Sequence, residues 1–381
     1  MVEQPEPLVA QKPGLEDVIA GESEVCFIDG REGRLLYRGY DIHDLVANST
    51  FEETMFLLWT GHLPTVTELS RFTAKLQAAR ELPHEVMQML YSLPKSALPM
   101  EVLRTAVSML SSFDLRPDAT ARDAILDKAI FVTSRMPTIV GAFNNLRNGK
   151  TPFHPRNDLS HAANLLYLLR GTAPDEDEAK IMDAALIVHA DHEFNASTFA
   201  ARVTVGTLSD YYSAITSAVG TLKGPLHGGA NQDVMNMLLH IGEIENVESY
   251  VRNQFTNRKK IPGFGHRVYK LEDPRAQFLR TFAYQLGEKK HMEKWAAMTR
   301  RIQDIVQSEK SIYPNVDLYS ASVYYALGIP VDMYTCIFAM SRVAGWTAHI
   351  IEQYQNNRLI RPASHYIGKT SMKYTPISER M

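Results

Sequence analysis

Residues 260–275, KIPGFGHRVYKLEDPR, form a stretch rich in glycine, proline and charge that interrupts a chain of otherwise helical segments. Pro262 ends any helix that arrives from the basic residues before it. Gly263 and Gly265 let the backbone turn sharply or approach a ligand closely. The pattern therefore predicts a loop that carries His266 on a bend rather than inside a regular element.

Cations follow this histidine within the same loop. Lys270 and Arg275 offer charges suited to phosphate or carboxylate groups. Asp273 and Pro274 predict the start of the next helix, because proline is favoured in a first helical turn. The loop is thus a candidate anion site, and an exposed turn with solvated charges is the alternative interpretation.

Composition sets limits on the class of protein. With 381 residues, 45% hydrophobic and 22% charged, the chain can bury a large core, and its length suggests two domains. A net charge of −3 argues against a nucleic-acid binder. Cys26 and Cys336 lack ligand or redox spacing, which favours a reducing compartment. Because no run is long enough for a membrane span and residues 1–18 lack signal-peptide features, we expect a cytoplasmic protein.

The remaining pattern is helical apart from one hairpin. Residues 24–37, EVCFIDGREGRLLY, alternate apolar and polar side chains around Gly30 and Gly33, which predicts a β-hairpin. Strands do not alternate with helical segments, so a parallel sheet is not expected. Segments of helical periodicity separated by proline and glycine occur at residues 51–61, 66–82, 84–93, 100–113 and 121–136.

The apolar segment 183–190, DAALIVHA, predicts a buried helix with a cluster of polar residues at its end. His189 and His192 would lie on one face if the helix continued, with Glu193 as a base beside them. A metallohydrolase site is one interpretation, although the spacing matches neither HExxH nor HxxEH. Structural histidines are the other interpretation, with polar neighbours from Asn195 onwards as hydrogen-bonding partners.

Two further segments place polar residues at helix starts. In residues 223–230, KGPLHGGA, His227 precedes a helix whose positive N-terminal end would keep the imidazole neutral and able to donate one hydrogen bond. A helix cap within a glycine turn is the alternative. Asn315 and Asp317 stand before an apolar helix, and both are typical helix-capping residues.

The segment 334–354 is apolar nearly all round and predicts a central helix with Arg342 in its middle. Burying a guanidinium without an anionic partner is costly, so either an acidic side chain or a bound carboxylate must pair with it. Arg358 and Arg361 then lie on a polar tail without helical periodicity, which we expect to extend over a surface.

Taken together, these motifs resemble the citrate synthase family. The matching segments are HADHEFNAST at 189–198, GPLHGGANQ at 224–232, PGFGHRVY at 262–269, DPR at 273–275, NVD at 315–317, SRVAGW at 341–346 and RP at 361–362. The hairpin and FEETMFLLWTGHLP also resemble the short bacterial and archaeal members.

The resemblance implies an all-α, two-domain fold with a small N-terminal β-hairpin, assembled as a homodimer. Residues 1–222 and 330–381 would form the large domain and C-terminal arm, and residues 223–329 a small domain that closes over the substrates. Only about twenty residues precede the hairpin, so we do not expect the extra N-terminal segment of the hexameric, NADH-inhibited members or their regulation.

The resemblance also implies condensation of acetyl-CoA with oxaloacetate and hydrolysis of citryl-CoA in the tricarboxylic acid cycle, without a metal or a permanently bound cofactor. Asp317 would take a proton from the acetyl methyl group, His227 would donate to the thioester oxygen, and His266 would polarise the oxaloacetate carbonyl. The implied oxaloacetate-binding residues are His192, Arg275, Arg342 and Arg361, the last from the other subunit. The implied residues for coenzyme A are Ile261, Gly263, Phe264, Gly265, Lys270 and Asn315.

Other functions stay open at this point. A 2-methylcitrate synthase would use propionyl-CoA through the same residues, since one methyl group is worth only about 1 to 3 kcal/mol of discrimination. A metallohydrolase at His189, His192 and Glu193 would lose activity with a chelator. A helical interaction scaffold would release no CoA from acetyl-CoA and oxaloacetate.

Overall fold

The computed structural model describes residues 12–16 and 18–380. In this part of the chain, sixteen α-helices accompany a single three-stranded sheet, which confirms the all-α prediction with its small hairpin. No described helix combines the length and apolar character needed to cross a membrane. The expectation that the first eighteen residues contain no signal peptide falls mostly outside the described residues.

The regular elements follow one another as follows. The strands are β1 (Cys26–Asp29), β2 (Arg34–Tyr37) and β3 (Tyr40–Asp41). The helices are α1 (Ile42–Asn48), α2 (Phe51–Thr60), α3 (Val66–Ala78), α4 (His84–Ser92), α5 (Pro99–Leu110), α6 (Arg122–Arg147), α7 (His161–Arg170), α8 (Glu176–His189), α9 (Ala196–Gly206), α10 (Tyr211–Leu222), α11 (Ala230–Ile241), α12 (Val247–Thr256), α13 (Pro274–Lys290), α14 (Glu293–Lys310), α15 (Val316–Ala326) and α16 (Tyr334–Gln355).

The sheet contains the predicted hairpin and one strand that the sequence pattern did not reveal. β1 and β2 pair antiparallel with Cys26 opposite Tyr37, and β3 adds two residues to the other edge of β2. Leu35 and Tyr37 are fully buried, so one face of the hairpin packs against the helices. The hairpin therefore has a fixed position relative to the helical core.

Side-chain caps explain where several helices begin. The side chain of Thr65 accepts from the Glu68 N–H while Glu68 bonds back to Thr65, a capping box that starts α3. Asn315 caps α15 by accepting a hydrogen bond from the Asp317 N–H at 3.0 Å. The prediction that Asp317 also caps this helix is wrong, because Asp317 lies within the first turn.

Helix α16 lies at the centre of the molecule and packs against α2, α5, α6, α8, α9, α10 and α11. It approaches the end of α8 closely, because the Gly345 N–H donates to the Ala190 carbonyl at 3.0 Å. A Cβ atom on Gly345 would lie 2.1 Å from Asp191 Oδ1, so this contact requires glycine. The contact places the middle of α16 beside the turn that carries His192.

Helices α11 to α15 form a second group of neighbours. Helix α13 packs against α14 and α15, α11 packs against α15, and α12 packs against α14. The group lies within residues 223–329, the predicted small domain. The exact domain boundaries stay a prediction.

Candidate active site

The end of α8 and the turn after it carry His189, His192 and Glu193, which the sequence offered as two metal ligands and a base. Helix α8 ends at His189 and does not continue to His192. The ring of His189 packs 4.9 Å from that of Phe338, whereas Glu193 accepts a hydrogen bond from the Ile28 N–H at 3.0 Å. The three candidates thus face different neighbours, and no His, Cys, Asp and Glu cluster in the described residues could hold a metal.

His192 and His266 face each other across the site. Their ring centroids lie 5.0 Å apart. The Nδ1 atom of His266 accepts from the backbone N–H groups of Val268 and Tyr269, at 3.0 and 3.1 Å, so the ring proton is on Nε2. Burial, reinforced by Arg275, lowers the pKa of His266 to about 4. His266 is therefore a neutral ring with one N–H available as a donor.

His227 is a second neutral donor with the opposite tautomer. Its Nε2 atom accepts from the Ser197 backbone N–H at 3.2 Å and lies 2.8 Å from Ser197 Oγ, so the proton is on Nδ1. Trp346 donates to Ser197 Oγ at 3.0 Å and holds the serine in place. Burial, then Arg342, lowers the pKa of His227 to about 4. The ring is neutral as predicted, but burial is the main cause rather than the helix end.

Asp317 lies in the first turn of α15, and its carboxylate makes no hydrogen bond within the described part of the chain. Burial raises its pKa to about 6, although Arg275 and Arg342 oppose the rise. Arg275 also acts on His266, and Arg342 acts on His227. The charges of two guanidinium groups thus act on all three predicted catalytic residues.

The two guanidinium groups differ in their partners. Arg275 is 3% exposed and pairs with Asp273, through Nε to Oδ1 at 2.9 Å and Nη2 to Oδ2 at 2.7 Å. Arg342 is 2% exposed and donates from Nε to the His189 carbonyl at 2.7 Å. No carboxylate of the described residues lies within ion-pair distance of Arg342. Burial lowers the pKa of Arg342 to about 10, and the charge that remains favours a bound anion.

The glycine loop is fixed against the start of α15. Gly263 and Gly265 have φ angles of 85° and 81°, which favour glycine. The Asn315 N–H donates to the Gly263 carbonyl, and the Asn315 side-chain amide donates to the Gly265 carbonyl, both at 3.0 Å. A Cβ atom on Gly263 would lie 2.8 Å from Leu318. Asn315 therefore shapes this loop in addition to any contact with a ligand.

The other predicted binding residues are spread from core to surface. Ile261 is buried, Phe264 is half-buried, and the Lys270 side chain is exposed at the edge of the loop. Arg361 lies on the exposed segment after α16 and has no hydrogen bond or ion pair with the described residues of its own chain. The structure thus does not place Arg361 among the other candidate site residues.

Sequence reasoning missed the residues that hold the candidate site side chains in position. Asp273 appeared as a helix start but also binds Arg275, two positions later. Trp346 lies four positions after Arg342 on α16, which puts both on one helical face. That spacing was a usable signal, whereas the contact between Trp346 and Ser197 depends on the packing of α16 against α9.

Comparisons with known proteins agree with the fold and the motifs. The family model described as citrate synthase, C-terminal domain, matches residues 14–363. Citrate synthase 2 of Bacillus subtilis (strain 168) is 50% identical over 96% of this chain and 98% of its own length. 2-Methylcitrate synthase 2 of Corynebacterium glutamicum is 40% identical over 97% of this chain and 98% of its own length. The citrate synthase of Thermoplasma acidophilum was solved as a ternary complex with carboxymethyl coenzyme A and oxaloacetate. It superposes on this chain with a TM-score of 0.92 at 36% identity, over 96% of this chain and 98% of its own length.

Proposed function

Because the chain belongs to the citrate synthase family, we propose that it condenses acetyl-CoA with oxaloacetate and hydrolyses the resulting citryl-CoA to citrate and CoA. The observation that carries the proposal is the buried guanidinium of Arg342, which has no carboxylate partner among the described residues. It accompanies two neutral imidazole donors and a carboxylate of raised pKa. This combination suits a small anionic carbonyl compound and a carbon acid that must be deprotonated.

Oxaloacetate binding follows from the charges of the site. The dianion supplies the negative charge that Arg342 lacks, and the Nη1 atom of Arg275 is not used by Asp273. His192 lies against His266 and completes one wall. The Nε2–H of His266 would donate to the ketone oxygen, where negative charge develops during carbon–carbon bond formation.

Proton abstraction is assigned to Asp317. A pKa of about 6 leaves roughly nine tenths of this carboxylate ionised at pH 7. It is also about two units more basic than an ordinary aspartate, which favours removal of the acetyl methyl proton. The Nδ1–H of His227 would donate to the thioester oxygen and stabilise the enolate or enol as it forms. A neutral donor serves here because it requires no counter-ion in the buried site.

Coenzyme A binding is assigned to the loop 261–265 with Lys270 and Asn315. Gly263 and Gly265 would let the backbone approach a ligand closely. Asn315 donates a hydrogen bond to the carbonyl group of each glycine. The exposed ammonium of Lys270 is suited to a phosphate group. Coenzyme A would enter as co-substrate rather than as a permanently bound cofactor.

We further propose a cytoplasmic homodimer in which Arg361 completes the partner's site. Residues 361–380 are exposed throughout, and they include Ile367 and Tyr374, which are 90% and 83% exposed. Apolar side chains on such a segment favour cover by another chain. Both cysteines are free and buried, which favours a reducing compartment.

A thiol-release assay tests the proposed function. Acetyl-CoA should release CoA only when oxaloacetate is present, and EDTA should have no effect. Propionyl-CoA is the second substrate to measure, because a 2-methylcitrate synthase is 40% identical over nearly the whole chain. Faster turnover of propionyl-CoA would favour 2-methylcitrate synthase, and no release from either thioester would refute both assignments.

A further inference from the structure

The tip of the β1–β2 hairpin touches the loop that carries His266. The backbone N–H of Lys270 donates to the Gly30 carbonyl at 2.9 Å. A Cβ atom on Gly30 would lie 2.3 Å from the Val268 carbonyl oxygen and 2.8 Å from the Val268 carbonyl carbon. Gly30 does not have a positive φ angle, so glycine is needed here for space rather than for backbone conformation.

The same hairpin is tied to the turn that carries His192. The Ile28 N–H in β1 donates to Glu193 Oε1 at 3.0 Å. In β2, the Tyr37 hydroxyl donates to the Asp191 carbonyl at 3.0 Å and accepts from the Asp191 N–H at 3.2 Å. The hairpin therefore contacts both segments from which the facing histidines His192 and His266 project.

These contacts reach the atoms that orient His266. The N–H groups of Val268 and Tyr269 bond to His266 Nδ1, and the next N–H along the chain, of Lys270, bonds to Gly30. Of three consecutive amides, two thus bond to the imidazole and the third bonds to the hairpin. A shift of the loop away from Gly30 would loosen the bonds that keep the His266 proton on Nε2.

We infer that the hairpin, residues 26–37, is a positioning element for the reaction, and that Gly30 is the residue that lets it hold His266 against His192. This inference rests on the proposed function, in which His266 donates to the oxaloacetate carbonyl. Gly30 touches no substrate and acts through the loop. Its role differs from general support of the fold because it sets the position and protonation of one imidazole.

Replacing Gly30 with alanine tests this role. The new Cβ must move from 2.3 Å to at least about 3.0 Å from the Val268 oxygen, so the hairpin tip and the loop must separate. Misplacement on this scale costs about 10- to 100-fold in kcat/KM. Because the bonds to His266 Nδ1 weaken, the pKa of His266 should rise above about 4, as measured by NMR titration of its ring. Hydrogen exchange of the Lys270 amide should become faster.

Gly39→Ala is the matched control. Gly39 joins β2 to β3 with a φ of 87° and has nothing within 4 Å of a built Cβ, so alanine strains the same sheet without touching the loop. We expect a lower Tm for Gly39→Ala but wild-type kcat/KM and an unchanged pKa of His266. Equal loss of activity in the two variants, or wild-type kcat/KM in Gly30→Ala, would overturn the inference.

Tyr37→Phe serves if Gly30→Ala does not fold. It keeps the ring volume and removes only the hydroxyl, which contacts Asp191 and also lies 3.2 Å from the Ile187 carbonyl. We expect about 3- to 10-fold lower kcat/KM with faster Lys270 exchange. Wild-type values for both would contradict the role of the hairpin. If the wild-type enzyme released no thiol, the proposed function would fail, whereas Lys270 exchange in the variants would still decide whether the hairpin holds the loop.

Discussion

Replacing Asp317 with asparagine should stabilise the folded protein while it removes activity. The folded-state pKa of Asp317, about 6, lies above the 3.8 of an unperturbed aspartate, so the folded protein binds this proton more tightly than the unfolded chain does. Stability from this group is therefore greatest below pH 4 and is lost as pH rises towards 6. At pH 7 the ionised carboxylate is a net cost to the fold, and asparagine removes that cost.

The magnitude follows from the size of the shift. A shift of roughly two units corresponds to about 3 kcal/mol, and partial access of this half-buried group to water reduces the expected gain to about 1 to 2 kcal/mol. Loss of the base should lower kcat about 100- to 10,000-fold. The single substitution Asp317→Asn should thus raise stability and lower activity.

Urea unfolding followed by circular dichroism measures the stability change. The gain from Asp317→Asn should be present at pH 7 and shrink at pH 4, where the wild-type carboxyl is protonated. Asp233→Asn is the control, because Asp233 is an exposed carboxylate in the first turn of α11 and should change stability by no more than about 0.5 kcal/mol. If Asp317→Asn were no more stable than wild type at pH 7, or if its gain in stability did not depend on pH, Asp317 would not be a destabilising buried carboxylate of raised pKa.

Three further outcomes are expected. In wild-type enzyme, kcat/KM should fall about tenfold between pH 7 and pH 5, because Asp317 titrates near 6 while His227 stays neutral down to about pH 4. A pH profile in which activity falls only near pH 4 would contradict this. Arg342→Met should raise the KM for oxaloacetate at least 30-fold without lowering the Tm of the ligand-free protein, because it removes a buried charge that no carboxylate of the described chain pairs with. Steady-state kinetics and thermal unfolding measure the two effects. Mixed dimers of Arg361→Ala and Asp317→Ala subunits, isolated with two affinity tags, should retain about half of wild-type activity; absence of this rescue would show that Arg361 serves its own subunit.

Local sequence patterns predicted most of the fold because helix starts and apolar stripes depend on neighbouring residues. The helix at residues 334–354 and the hairpin at residues 24–37 are both present with nearly the predicted limits. Strand β3 was missed because its two residues are too few to form a periodic pattern. The residue at which α8 ends could not be predicted either, because the turn after the helix is fixed by the packing of Gly345 against Ala190.

The candidate site was predicted as a set of residues but not as an arrangement. Motifs placed His227 and Asp317 at helix starts, and the family resemblance assigned their roles. The tautomer of His227, however, is set by Ser197, and Ser197 is held by Trp346, which is 149 positions away in the chain. Such supports cannot be read from spacing, because they depend on which helices pack side by side.

The partner of Arg342 illustrates this limit and shows what the structure adds. Sequence reasoning required either an acidic side chain or a bound carboxylate, and two buried acids could have filled the first role. Asp273 is already paired with Arg275, and the Oδ2 atom of Asp191 contacts His349 at 3.2 Å. Asp191 raises the pKa of Arg342 but forms no ion pair with it, so the guanidinium remains available to a bound carboxylate. A dicarboxylate from solution then gains a buried ion pair whose arginine is already desolvated, which favours binding at this site over exposed cations such as Lys270.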